Sequence, residues 1–324
     1  RVVLDRALAL AEPIVAALRE HPSSVRVELA GSARRRADSV KDVDLVAAAH
    51  DPRALAEALT RRDEVEAVLA LGDAGARVRT HSGVVVDLKV VAPDQFGNLL
   101  QHFTGSKEHN MALREAAVRN GLHVSEYGIL DDATGETVRC ATEEEVYARL
   151  GYAYIEPELR ENRGELQAAR RDGGAGLPRL VREEDLRGDL HCHTVASDGK
   201  DDIEAMAEAA IALGYEYLAF TDHSASHGFG NEVSPAQLEA QIERIHAANH
   251  AFPEIELLAG SEVNILPDGS LDYPDELLAR LDWVIASVHT SFRLDERAMT
   301  ERVLAAVERP HVDAIGHLTG RKIE

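Results

Sequence analysis

Cysteine is almost missing from this chain: Cys140 and Cys192 are its only two. Two thiols cannot build a disulfide framework, which excludes the cross-linked secreted class and agrees with a reducing compartment. Also missing is any uninterrupted apolar run approaching the roughly 20 residues of a membrane-spanning helix, and no segment has the pattern of a signal peptide. The chain therefore reads as intracellular, with a cytoplasmic location expected and no membrane partner. Basic residues are scarce too, 35 Lys and Arg against 57 Asp and Glu, for a formal charge of −22. That balance argues against a general nucleic-acid coat protein, which needs clustered cations to neutralise phosphates. It leaves room for an enzyme with a small basic site. The first residue is Arg1 rather than Met and Glu324 stops in mid-pattern, so both ends read as cut from something longer.

What is present is an ordinary globular composition, 45% hydrophobic and 28% charged over 324 residues, enough for two or three domains. The first chemistry-bearing stretch runs G-S-A-R-R-R-A-D-S-V-K-D-V-D from Gly31 to Asp44. Asp42 and Asp44 stand two apart on an expected strand, so both carboxylates leave one face and can share divalent ions. Gly31 and Ser32 open a turn whose amides and hydroxyl suit phosphate oxygens, and Arg34, Arg35 and Arg36 supply forked donors for the same groups. Further on, Gly83 to Val91 is strongly strand-like and carries Asp87 among apolar residues. An isolated Asp-x-Asp can be a solvated edge strand, and a lone core Asp can be satisfied by hydrogen bonds. A buried carboxylate without a partner is expensive, however, and a metal shared with Asp42 and Asp44 accounts for all three at once.

Around this stretch, helices are expected over Val2–Leu18 and Ala54–Thr60, and strands over Ser24–Ala30 and Glu64–Leu71. From Gln101 the chain reads H-F-T-G-S-K-E-H-N-M-A-L-R, where Thr104 or Ser106 could cap a helix and Asn110 and Arg114 fall on one helix face. A helix over Glu143–Leu150 closes a smaller α/β segment. A polar, Gly-rich stretch follows, and the domain linker is expected between about Arg163 and Arg187.

The residues of this half resemble the palm and thumb of a family X DNA polymerase, within the wider nucleotidyltransferase group. The likeness rests on G-S-A-R-R followed by D-V-D, on V-D-L-K, and on F-T-G-S-K-E-H-N in that order. It implies that Asp42, Asp44 and Asp87 are catalytic carboxylates binding Mg²⁺ or Mn²⁺. It also implies that Gly31, Ser32, Arg35, His102, Phe103, Gly105 and Asn110 contact the incoming dNTP, and that Arg114 and Lys89 approach DNA. Two residues depart from the pattern. His102 stands where the family usually has Tyr at the sugar-reading position, and Lys41 stands where polymerase beta has a glycine.

The second half carries a different set: His191 and His193 two apart, Asp198 in S-D-G, Asp222 and His223 in T-D-H-S, then Glu262, His289 and His317. Each follows a short apolar run, with helical patterns over 202–213, 235–251, 275–281 and 296–308 in the gaps. Ligands at the ends of successive parallel strands are the arrangement of a β/α barrel. Mixed imidazole and carboxylate donors suit zinc, manganese or iron better than magnesium or calcium. Cys192 alternates away from both flanking histidines and is expected to be a packed core thiol. His227, His246 and His250 fit no strand end and are expected at the surface.

This half resembles a PHP domain, the polymerase and histidinol phosphatase module, through H-C-H, S-D-G, T-D-H-S, G-S-E and the two later His motifs. By that resemblance His191, His193 and Glu262 hold a first metal, Glu262, His289 and His317 a second, and Asp198 and His223 a third. The family's final Asp-x-His pair is not in the sequence, so partial metal occupancy and an incomplete barrel are expected. The expected fold is thus α/β multidomain, with a nucleotidyltransferase palm of mixed sheet and helices at 1–97, a small α/β thumb at 98–160, a linker at 161–187 and a C-terminally truncated PHP domain at 188–324. An N-terminal lyase and fingers region is expected to be missing, and much of the DNA-gripping basic surface with it.

A palm followed by a PHP domain is the arrangement of bacterial and archaeal family X polymerases. The resemblance implies gap-filling synthesis on gapped or primer-template DNA coupled to 3′–5′ exonuclease or 3′-phosphoesterase activity in base-excision repair, by a monomer near the nucleoid. Three rivals remain at the level of sequence: a nucleotidyltransferase acting on something other than DNA, a phosphoesterase whose palm only docks DNA, and a scaffold without catalysis.

Overall fold

The structure, a computed structural model, describes residues 1–228 and 230–320. Its contacts divide the chain into one unit of Arg1–Arg179 and a second from Leu180 onward.

In the first unit, β1 (Val2–Val3) leads into helix α1 (Leu4–Arg19), which buries Ala7, Ala11, Ile14 and Leu18 along one stripe. Next come β2 (Ser24–Leu29), one helical turn α2 (Gly31–Arg34), β3 (Ser39–Val40), which pairs with β1, and β4 (Val43–Ala49). Asp51 caps helix α3 (Pro52–Thr60), whose first position takes Pro52, where a missing N–H costs nothing. The strands β5 (Val65–Gly72), β6 (Gly75–Thr80) and β7 (Val85–Val91) complete a five-stranded sheet in the order β2-β4-β7-β6-β5. Only the central pair β4 and β7 is parallel, so the sheet is mixed, as expected of a palm. Strand β6 was not expected; G-A-R-V-R-T is too short and too polar to stand out beside β5, yet Ala76, Val78 and Thr80 alternate inward.

One face of this sheet packs on α1 and α3 through residues such as Val27, Leu45, Leu55, Leu59, Val86 and Leu88. Each fully buried Leu there contributes about 1.5–3 kcal/mol over an exposed one. On the other face Val46, Ala48 and Val91 are covered by Phe96, Leu99 and Leu100 of helix α4 (Phe96–Thr104). Helix α4 covers only part of that face, and Asp44 and Asp87 lie on the rest of it.

The thumb follows. Ser106 caps helix α5 (Lys107–Val118), accepting from His109 N. A three-stranded antiparallel sheet of β8 (Leu122–Ser125), β9 (Gly128–Asp131) and β10 (Thr137–Val138) packs beside it, and Thr142 caps helix α6 (Glu143–Arg149). The stretch read as linker holds helix α7 (Glu165–Arg170), whose Leu166 and Ala169 join the same core as Leu113, Ile129 and Val146.

The second unit alternates strand and helix: β11 (Gly188–Cys192), α8 (Ile203–Ala212), β12 (Tyr217–Phe220), α9 (Pro235–Ala251), β13 (Glu256–Asn264), α10 (Asp275–Leu278), β14 (Trp283–Ser287), α11 (Glu296–Val307) and β15 (Ala314–Ile315). All five strands are parallel neighbours in chain order, the build of part of a β/α barrel wall. Asp202, Ser234 and Asp295 cap α8, α9 and α11, and Ser234 with Gln237 forms a full capping box. The core is made of Leu218, Phe220, Leu257, Ala259, Val263 and Val284 from the strands against Ala207, Ile242 and Ile245 from the helices.

Candidate functional sites

In the palm, strand pairing sets three side chains in a row. Asp44 on β4 is the register partner of Asp87 on β7, and Asp87 is in turn the partner of Arg77 on β6. Asp42 sits one residue ahead of β4. Directly opposed residues of adjacent strands share a face, so the row leaves the sheet on one side. Gly31, at φ +62°, faces Asp44, and a Cβ there would collide with the Asp44 carboxylate. The glycine is therefore required twice, for its left-handed backbone and for the space the carboxylate fills.

This is a crowd of like charge. Burial first, then the charges of Asp42 and Asp87, hold Asp44 up at about 6 against the pull of Arg35 and Arg77. Lys89 Nζ lies 3.2 Å from Asp87 and Arg77 Nε lies 4.0 Å from it, both on half-exposed side chains. Carboxylates gathered so that one of them resists ionisation fit a divalent cation, which would lift that penalty.

The expected nucleotide contacts are arranged around the start of the thumb. Arg35 donates through Nη1 to Thr104 O at 2.6 Å and through Nε to Glu161 at 2.7 Å. Arg34 donates to Thr104 Oγ1 at 2.7 Å and to Glu143 at 2.6 Å, and Glu143 also accepts from the fully buried Arg160 at 2.5 Å. The two arginines thus tie the turn after β2 to the thumb. Asn110 donates to His102 O and accepts from Gln101, which fixes its amide on α4. His102 Nδ1 accepts from Arg114 at 2.8 Å, and burial, with Arg114, outweighs Glu126 to lower its pKa. Phe103 lies beside the His102 ring, 5.3 Å between centroids. Phe103, Arg77, Asp87, Lys89 and Tyr127 share a cleft of about 640 Å³. Arg77 and Tyr127 did not emerge from the sequence; the R-V-R-T alternation on β6 was the available signal for the first.

In the second unit, the carboxylate of Glu262, only 2% exposed, is ringed by five imidazoles. His191 Nε2, His193 Nε2 and His223 Nδ1 lie 3.3, 3.4 and 3.0 Å from Oε2, while His289 Nε2 and His317 Nε2 lie 3.2 and 3.0 Å from Oε1. Asp198 lies 2.8 Å from His193 and 3.6 Å from His223. His289 and His317 face each other at 3.3 Å. Ligand atoms held about 2.0–2.2 Å from one ion are about 3.0–3.4 Å apart, so these spacings suit a shared metal. Among the described residues, three overlapping sets have the spacing of metal ligands: His191, His193 and Glu262; His193, Asp198 and His223; and His223, Glu262 and His289.

Burial would raise the Glu262 pKa, but the surrounding imidazoles push it far below the usual carboxylate range. Burial would likewise lower the His193 pKa, yet Glu262 and Asp198 raise it. Cys192 donates to Ala219 O at 3.0 Å, and burial followed by the charges of Asp189 and Asp222 pushes its thiol up to about 12. It is a packed thiol rather than a thiolate ligand.

A buried carboxylate, Asp222, and a half-buried one, Asp272, support the loops of the cluster. Asp222 accepts from the amides and hydroxyls of Thr194 and Ser197 and from Gln241, at 2.6 to 3.2 Å, which pins the loop that presents Asp198. Asp272 accepts from Ser224, Ser226 and the Asn264 amide, and Asn264 in turn accepts from the His289 amide. One expectation fails here. His227 is not at the surface but 1% exposed, its ring stacked on His223 at 4.5 Å, because the loop after β12 folds back over the sheet end. Nothing but its nearness to His223 in sequence could have suggested this.

Comparison with known proteins agrees with both halves. Residues 99–161 match the DNA polymerase beta thumb, and residues 189–320 match the PHP domain. Over its full length the chain is 38% identical to "DNA polymerase/3'-5' exonuclease PolX" of Bacillus subtilis, of which it covers 56%. Across 134 residues it is 34% identical to a probable phosphatase of Acetivibrio thermocellus, covering 53% of it, and across 142 residues 34% identical to a probable phosphatase of a Thermoanaerobacter species, covering 52%. The chain therefore spans only about half the length of these relatives. With a palm-type sheet, a polymerase beta thumb and a PHP domain in this order, the chain belongs to the family X polymerase group that carries a PHP domain.

Proposed function

We propose that the palm and thumb add dNMP to a primer 3′-hydroxyl at gaps in DNA, and that the PHP domain hydrolyses phosphodiesters at 3′ ends, as parts of a DNA repair enzyme. The observation that carries this reading is the coexistence of two separate donor sets in one chain: an all-carboxylate row at Asp42, Asp44 and Asp87, and a His-rich cluster about Glu262. The first suits Mg²⁺ or Mn²⁺, the second Mn²⁺, Zn²⁺ or Fe²⁺. When bound, such ions supply Lewis-acid activation of an attacking oxygen and neutralise charge on the leaving group.

The protein's own residues do the rest. Asp42, Asp44 and Asp87 would hold the palm ions. Ser32 and Arg35 bind the triphosphate and stabilise charge developing on it. For Arg35 this means exchanging Glu161 for phosphate. Phe103, Gly105, Asn110 and His102 line the incoming nucleotide, while Arg114 and Lys89 face DNA. In the PHP domain His191, His193, Asp198, His223, Glu262, His289 and His317 would hold up to three ions. The protein works as a monomer in the cytoplasm, at the nucleoid.

The test is primer extension and 3′ hydrolysis on gapped DNA with Mn²⁺, comparing Asp42→Ala with His289→Ala. Each change should remove one activity and leave the other. Synthesis that survives Asp42→Ala would refute the palm assignment. The phosphatase names of two relatives favour a second reading, in which the PHP domain removes 3′-phosphates rather than nucleotides. Release of inorganic phosphate from a 3′-phosphorylated primer, with no shortening of a 3′-hydroxyl primer, would select it.

A further inference from the structure

The mouth of the His-rich cluster differs in character from its floor. Since the strands of the second unit are parallel and in chain order, the loops leaving β11, β14 and β15 emerge at the same end. Each of these loops carries a cluster histidine, and within three residues of it an exposed apolar side chain. Val195 follows His193 and is 53% exposed, Phe292 follows His289 at 68%, and Leu318 follows His317 at 65%. The other described phenylalanines are buried or half-buried. The same loops carry two exposed cations, Lys200 two residues after Asp198 and Arg293 beside Phe292. Neither forms an ion pair with any described residue, in a chain where acids outnumber bases 57 to 35. Unpaired cations and an exposed aromatic ring around a cluster suited to phosphate chemistry match a strand of phosphates and bases, and exceed what a small phosphate ester needs.

We infer that this collar holds the unpaired 3′-terminal nucleoside of a DNA strand, its base stacked on Phe292, with Lys200 and Arg293 taking the flanking phosphates. Stacking on a flat ring accepts any base, so the subsite selects for a strand end and not for sequence. The inference rests on the proposed hydrolysis at 3′ ends and gives that site its substrate class.

A single-stranded oligonucleotide ending in 2-aminopurine, mixed with the whole chain in EDTA, reads the stacking without any reaction. Its fluorescence should be quenched on binding, the quenching lost in Phe292→Ala and kept in Phe292→Trp. With Mn²⁺, Phe292→Ala should raise KM for a 3′ end about tenfold with little change in kcat, and should have no effect when the terminal nucleotide lacks its base. Equal KM changes on the two ends, or quenching unchanged in Phe292→Ala, would overturn the inference. Quenching that depends on Phe292 in a chain that hydrolyses no 3′ end would uphold the stacking subsite while removing the proposed hydrolysis.

Discussion

In the palm three carboxylates stand together with Arg77, Lys89 and Arg35 as nearby cations, whereas in the second unit one carboxylate is enclosed by five imidazoles. The results are opposite. Burial first, and then the charges of Asp42 and Asp87, hold Asp44 up at about 6, while the surrounding imidazoles drive Glu262 far down, so the His cluster holds itself together. One site depends on an incoming cation for its electrostatic balance; the other is cross-braced before any ion arrives. The supports differ too. The palm residues come from adjacent strands of one sheet, while the His cluster comes from strands β11 and β13 and from the loops leaving β11, β12, β14 and β15, with Asp222 and Asp272 bracing those loops.

The largest effect should come from the centre of the braced cluster. Glu262→Gln removes the charge that all five imidazoles share, so hydrolysis at 3′ ends should fall by several kcal/mol, on the order of a thousandfold. Metal content measured by mass spectrometry of the purified chain should drop with it, while primer extension stays as before. If extension fell equally, the two centres would not be separable.

The next largest concerns what holds palm to thumb. Arg160 is fully buried, donates to Glu143 and to Ile155 O, and lies against the rings of Tyr147 and Tyr154. Arg160→Met should destabilise the first unit by about 3–5 kcal/mol, since Glu143 is left with Arg34 alone. Burial would raise the Glu143 pKa, but Arg160 and Arg34 hold it below its ordinary 4.5. Its contribution to stability is therefore complete above about pH 4.5 and lost as pH falls further. Urea unfolding between pH 3.5 and 7 should show that acid-labile component in the parent chain and a smaller one in the variant. Metal loading of the His cluster at pH 7 should not change.

How much of this could be read from sequence depended on distance along the chain. Asp42 and Asp44, or His191 and His193, declare themselves because a period of two puts them on one face. Helix α9 was expected over its observed span from its helical pattern, and the structure shows Ser234, Pro235 and Gln237 marking its start. Arg77 stayed hidden because its pairing with Asp87 is made by a strand register that no local pattern encodes. Asp222 stood in a visible motif, but its work is done on Thr194 and Ser197, some 25 residues earlier. The Arg35–Glu161 pair spans still more sequence, and α7 was masked by the glycines around it.

Asp222→Asn tests the bracing at smaller amplitude. The new amide places a donor where Thr194 Oγ1, Ser197 Oγ or Gln241 Nε2 now donates, so the loop carrying Asp198 should loosen. An outer support of this kind typically costs about 10–100-fold in metal affinity. Titration with Co²⁺, followed by absorption, should show weakening of the ion held by Asp198 and His223 ahead of the one held by His289 and His317. Uniform weakening would mean that Asp222 supports the sheet end as a whole.

The smallest effect sharpens the contrast most, because it should have opposite sign at the two sites. In the absence of metal Asp44→Asn removes one charge from a repelling group. A carboxyl whose folded pKa lies above its ordinary 3.8 is penalised when ionised, so the penalty grows as pH rises from about 4 to 6 and is constant above. The variant should therefore be more stable than the parent at pH 8 in EDTA, by about 1–2 kcal/mol, with the gain vanishing near pH 4. With Mg²⁺ added, the parent should recover the difference, since the ion then does for three carboxylates what the amide does for one. Glu262→Gln under the same metal-free conditions should lose stability instead, because it removes an attraction. Thermal unfolding of the two variants in EDTA at pH 8 decides the matter, and shifts of the same sign in both would show that the palm carboxylates do not repel one another as their arrangement implies.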